Sequence, residues 1–182
     1  MPNPGILEYF KVLSSSPEER EWRVEMLIKG KTIEGTTDTR IALTVLATAL
    51  LGRKEKMVPP LYEGWPVEVE VEKDQQVPAV YWIRKVRVRD DREEICKNIA
   101  PYVGKVKVEP LSPTAFVDET PPKWGFFFHH GNQNCAELKG TSLDIYAVVE
   151  AAWRQRGMVE LDLDGDNLIV GARQVSPSKA IT

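Results

Sequence analysis

WGFFFHHGNQNCAELKGTSLDIYAVVEAAWRQR, Trp124–Arg156, sets the reading of the fold, because an earlier stretch, Trp22–Arg53, follows the same plan. Each begins with a Trp at the head of an apolar strand and passes through a short polar turn into a second strand. Each then reaches Gly-Thr-Thr or Gly-Thr-Ser ahead of an alanine-rich helix. Gly35 and Gly140, Thr37 and Ser142, and Gly52 and Gly157 are separated by the same 105 residues, so strand exit, helix cap and helix stop fall in register. The pattern predicts an internal duplication of strand-strand-helix-strand-strand units. The expected fold class is α+β, with antiparallel sheet or sheets and two repeat helices packed on them. A cleft along the internal pseudo-twofold follows from that arrangement.

Working outward, residues 1–21 read as an N-terminal helix and linker, since Ile6, Leu7, Phe10 and Leu13 recur at helical spacing after Pro4. Residues 22–109 form the first half. Trp22, Val24 and Met26 alternate along one strand, Lys29-Gly30-Lys31 turns the chain, and Thr32–Gly35 returns. A helix capped by Thr37 or Asp38 carries Ala42, Val45, Leu46, Ala49 and Leu50 on its buried stripe, with Gly52 as its stop and a loop at Met57–Pro66 beyond it. VEVEVE at Val67–Glu72 complements YWIRKVRVR at Tyr81–Arg89 in an antiparallel hairpin. Its valines share one face and its opposite charges the other. Asp90–Asn98 reads as a short helix and Lys105–Val108 as a strand. Residues 110–123 read as a Pro-rich crossover between the halves.

Residues 124–176 form the second half, ahead of a tail at 177–182. Its elements are the hairpin Phe126–His130 and Cys135–Leu138, a helix capped by Ser142, and a hairpin of Met158–Leu163 and Leu168–Val175 turning at Asp164–Asn167. Ile145, Val148, Val149 and Ala152 form the expected helix stripe, and the two halves are expected to share one compact domain.

Composition bounds the function classes. With 182 residues, 42% hydrophobic and 28% charged, the chain is long enough to bury a sizeable core. A net charge of −3 argues against a surface given over to nucleic acid, which is permitted without being indicated. Cys96 and Cys135 lack CxxC spacing and read as two free thiols, which points to the cytoplasm. No apolar run reaches membrane-spanning length and no secretory signal opens the chain, so no membrane partner is expected; an oligomer is permitted.

The chemically suggestive residues cluster in the opening stretch. His129 and His130 are the only histidines, so either is a candidate acid–base group. Adjacent strand residues point to opposite faces, so the pair is not expected to hold one metal, and the plainer reading places one at the core and the other in solvent. With Asn132 and Asn134 they form a candidate ligand-binding hairpin. Gly140, Thr141 and Ser142 at the helix start, with Lys139 beside them, form a candidate anion site, although capping alone accounts for those residues. Asp162–Asn167 departs from a calcium loop: its glycine stands fourth rather than sixth, and Arg173 occupies the place of the closing glutamate. The basic strand Arg84–Arg89, with Tyr81 and Trp82 available for stacking, has the pattern of a single-stranded nucleic-acid face, but the facing glutamates favour a solvated charge ladder. No nucleophile elbow, P-loop or dinucleotide fingerprint is present, so no cofactor and no metal is expected.

The leading expectation is a non-enzymatic binding or adaptor module that uses the pseudo-twofold cleft or a sheet edge to recognise a small ligand, a peptide or a nucleic-acid segment. Its alternatives are a His-dependent enzyme that cleaves phosphodiesters or carries out another hydrolysis, and a structural subunit of an assembly.

Overall fold

The computed structural model describes residues 5–16, 21–28, 30–50, 65–100 and 107–175. Among the described residues the protein is mostly β, with a closed five-stranded barrel. This overturns the α+β expectation of sheets covered by two repeat helices. The barrel is built from β1 (Gly5–Ser16), β2 (Glu21–Ile28), β3 (Lys31–Thr37), β4 (Pro66–Lys73) and β5 (Tyr81–Val88). β1 pairs with β2, β2 with β3, β3 in parallel with β5, β5 with β4, and β4 returns to β1 at Gly5↔Val67 and Ile6↔Pro66. The helix α1 (Arg40–Leu50) lies in sequence between the third and fourth strands.

The closing strand is the segment expected to be a helix. Its pairing with β2 shifts register between Leu7 and Tyr9 and again between Val12 and Ser14. Each shift adds a residue to one strand, so the apolar residues lose a simple period of two and imitate helical spacing. Backbone pairing on both sides then outweighs the local pattern.

The chain divides into two compact units, Met1–Arg89 with Thr114–Pro122 and Asp90–Pro113 with Lys123–Thr182. The second unit holds β6 (Asn98–Ile99), β8 (Lys123–Gly131), β9 (Asn134–Gly140), α2 (Leu143–Arg154), β10 (Met158–Leu163) and β11 (Leu168–Val175). β7 (Lys107–Phe116) contributes its first part to this unit and its last three residues to the first unit. Bonded neighbours run β7-β8-β9-β11-β10, and β10 returns to β7 at Val159↔Val108 and Glu160↔Lys107. The rings take in β1 and β7, which the proposed repeat unit left out, so a duplicated strand-strand-helix-strand-strand unit does not describe the fold.

β7 runs through what was expected to be a crossover. Pro110 and Pro113 cannot donate to a ladder, and they fall between the residues that pair with β10 and Thr114–Phe116, which pair with β5. Ser112 between them takes a left-handed φ of 52° and marks the break. Asp90–Asn98 is likewise not an α-helix: Asp91–Ile95 forms a 3₁₀ turn and Asn98–Ile99 becomes β6, parallel to β9.

Other elements form where their residues direct. On α1, Ala42, Val45, Leu46 and Ala49 are buried as the stripe requires, and Ile41 and Thr48 are buried beside them, so the helix is enclosed on more than one side. Thr39, rather than Thr37 or Asp38, meets the first free amide, that of Ile41, at 3.2 Å, while Thr37 accepts from Thr39 N. On α2, Ser142 caps the helix through Ile145 N, but the buried stripe is Tyr146, Val149, Ala152 and Trp153. The two aromatics draw the helix about one position round from the aliphatic stripe, because large rings bury the most area. Gly52, residues 57–64 and the tail 177–182 lie outside the described residues.

Candidate functional site

The candidate residues of the opening stretch do not converge. The β8–β9 hairpin turns through Asn132 and Gln133, both left-handed at φ 49° and 64°, so a two-residue turn of primed type accounts for Asn132. His129 and His130 are half-buried; His129 stands across the hairpin from Cys135, and the register shifts at His130, so simple strand alternation does not carry through the pair. Lys139, Gly140, Thr141 and Ser142 lie at the far end of β9, about 20 Å away at strand rise. Gly140 is there for packing: a Cβ on it would stand 2.5 Å from the Trp124 ring. That ring is fully buried, and its Nε1 donates to the Ser142 carbonyl at 2.9 Å. Among the described residues no group of three or more His, Cys, Asp or Glu has the arrangement to hold a metal ion.

Cys96 and Cys135 are joined in a disulfide, which corrects the reading of two free thiols and removes the ground on which the cytoplasm was inferred. Their separation of 39 residues hid a proximity that β6 creates by pairing along β9.

Sequence reasoning also missed a buried polar network in the second unit. Asp90, with a side chain 0% exposed, accepts from Arg92 Nη2 at 2.8 Å and from Trp153 Nε1 at 2.7 Å. Arg92 also donates to Glu109 at 2.8 Å, and Ser112 Oγ donates to Glu93 at 3.0 Å while accepting from Asp90 N at 3.2 Å. The buried carboxylate is thus paired and hydrogen-bonded. It ties the 3₁₀ turn, β7 and α2 together, a structural task. Its partners lie up to 63 residues away, so no local pattern announced it.

The surface best prepared for contact is the end of the β4–β5 hairpin. Val67↔Val88 and Val69↔Val86 face the barrel interior, while Glu68↔Arg87 and Glu70↔Lys85 face out, as the complementary alternation predicted. The ladder is ion-paired at Arg84–Glu72 (2.8 Å) and Arg89–Glu68 (3.7 Å). A register shift between Glu70 and Val71 then inserts Arg84, and the inward face continues as Val71↔Ile83 and Lys73↔Tyr81 beyond the barrel. Ile83 is buried, but Val71 is 39% and Tyr81 41% exposed, with Val77 in the connecting loop at 52%. Three large apolar side chains are thereby exposed within one hairpin end.

Asp74 holds that end in one shape. Its Oδ1 accepts from Gln76 N at 2.7 Å and Val77 N at 2.8 Å, its Oδ2 accepts from Trp82 Nε1 at 2.7 Å, and its amide donates to Val80 O at 2.8 Å. The Trp82 hydrogen bond above all, then the two amides, and last the Arg84 charge hold the Asp74 carboxyl below its ordinary value of 3.8. Asp164 opens the β10–β11 turn in a related way, accepting from Asp166 N and Leu168 N at 2.9 Å each, so this carboxylate serves the turn.

No helix among the described residues is long and apolar enough to cross a membrane. Comparison with known proteins finds no matching family model, no matching curated protein and no matching solved structure.

Proposed function

We propose that the protein is a non-enzymatic binding module whose β4–β5 hairpin end takes a segment of single-stranded nucleic acid, with a base stacked on Tyr81 and Lys73 near the backbone. The observation that carries this reading is the exposed Tyr81 ring at the start of β5, beside a loop already pinned by Asp74 and Trp82. Such a loop loses little conformational freedom on binding, and stacking accepts any base. The ring order, with a helix between the third and fourth strands, resembles the oligonucleotide- and oligosaccharide-binding barrel, in which the loop joining strands four and five contacts ligand; this is fold analogy and supports the reading only as such.

Fluorescence anisotropy with a labelled oligothymidylate tests it. Stacking of one base contributes about 1–3 kcal/mol, so Tyr81→Ala is expected to weaken binding roughly 5- to 150-fold. Because the neighbouring arginines are already ion-paired, few phosphates are neutralised, and each contributes about −0.7 to the slope of log K against log salt. A Tyr81→Ala protein that binds as wild type, or no binding at low salt, would overturn the reading. Exposed Val71 and Val77 favour a second reading, an extended peptide laid on the same surface, whose affinity would be insensitive to salt.

A further inference from the structure

The Cys96–Cys135 bond joins two parts of the second unit that are otherwise held in very different ways. Cys135 is fully buried on β9, whereas Cys96 is half-buried at the end of the 3₁₀ turn. Before Cys96, Asp90, Arg92 and Glu93 are fixed by the buried network. Beyond it, residues 97–100 are held by the short parallel pairing of β6 with β9, including Asn98 N on Gln133 O at 3.1 Å and Ala100 N on Cys135 O at 2.9 Å, and by the disulfide. Its large apolar side chain, Ile99, is 64% exposed and contributes little burial. Along the edge of β9, β6 pairs at Asn134 and Cys135 and β11 at Lys139 and Gly140. The disulfide is therefore the strongest link holding β6 over the first part of that edge.

We propose that Cys96–Cys135 is a site of thiol–disulfide exchange, a latch that a soluble dithiol opens to release residues 96–100 from β9 while the Asp90 network holds the preceding turn in place. The thiolate of the dithiol attacks Cys96 Sγ, the more accessible sulfur, forming a mixed disulfide and expelling the Cys135 thiolate. The second thiol of the reagent then attacks its own sulfur in the mixed disulfide, breaking that bond and freeing the Cys96 thiolate. The dithiol leaves as a cyclic disulfide, having given two electrons, and its two protons end on Cys96 and Cys135. The backbone ladder with β9 then remains to hold β6, without a covalent tie, so its amides open independently of the barrel.

The test uses the whole protein, purified without reductant and exposed to graded dithiothreitol. Iodoacetamide labelling read by intact mass is combined with residue-resolved hydrogen exchange. Without reductant no label is expected. With it, both cysteines label together, exchange at Asn98 and Ala100 rises by about tenfold or more, and the amides of α2 and β8 keep their protection. Cys96→Ser, which alters the less buried partner, should raise exchange at the same two amides with no reductant present. Two labels before reduction, labelling only as α2 and β8 lose protection, or unchanged exchange at Asn98 and Ala100 in Cys96→Ser would each overturn the proposal.

Discussion

A carboxylate that satisfies three donors ahead of a solvent-facing loop does more for this surface than any of the residues first singled out. Asp74 takes both loop amides and the Trp82 indole, so Asp74→Ala leaves three donors to find water and loosens the presentation of Val77 and Tyr81. Its depressed pKa sets the sign of a pH effect: the stabilisation is complete above the ordinary value of 3.8 and is lost as pH falls through the lower folded value. Trp82 fluorescence is therefore expected to hold steady down to that ordinary value and change only below it, and Asp74→Asn should lose this acid transition. At Gly140, the Trp124 ring leaves no room for a Cβ, and Gly140→Ala is expected to cost about 1–3 kcal/mol of stability by denaturant unfolding. Asp90→Ala removes the partner of a largely buried arginine and of the Trp153 indole, and about 3–5 kcal/mol of destabilisation is expected in the same measurement.

Among the elements, the strands with clean alternation were legible. VEVEVE and YWIRKVRVR gave the hairpin and which residues share each face as far as Glu70, because opposite charges and valines can match in only one phase. The shift after Glu70, which brings Ile83 and Tyr81 onto the valine face, had no such signature. β1 was misread because two register shifts broke its alternation, and β7 because its prolines look like a linker when only sequence neighbours are considered. Tyr81 and Trp82 were visible as stacking candidates, but the residue that pins them, Asp74, was not singled out. Its role rests on loop amides that are placed only once the hairpin exists. A direct check of the β1 assignment is amide exchange across Gly5–Ser16: these amides should lose protection together with those of β2 as denaturant rises, whereas a separate amphipathic helix would lose it independently.

For the whole molecule, barrel closure is the property that sequence patterns reported least. It depends on β4 returning to β1 and on β3 meeting β5 in parallel, contacts between segments far apart in the chain. The disulfide belongs to the same class, since only the pairing of β6 with β9 brings Cys96 to Cys135. The central claim is that the β4–β5 end of the first barrel is a ligand surface, and chemical-shift mapping with an unlabelled oligothymidylate tests it most directly. The account predicts shifts concentrated at Val71, Lys73, Val77, Tyr81 and the Trp82 indole; shifts confined to His129–Asn134 or to Lys139–Ser142, or none at millimolar oligonucleotide, would contradict it.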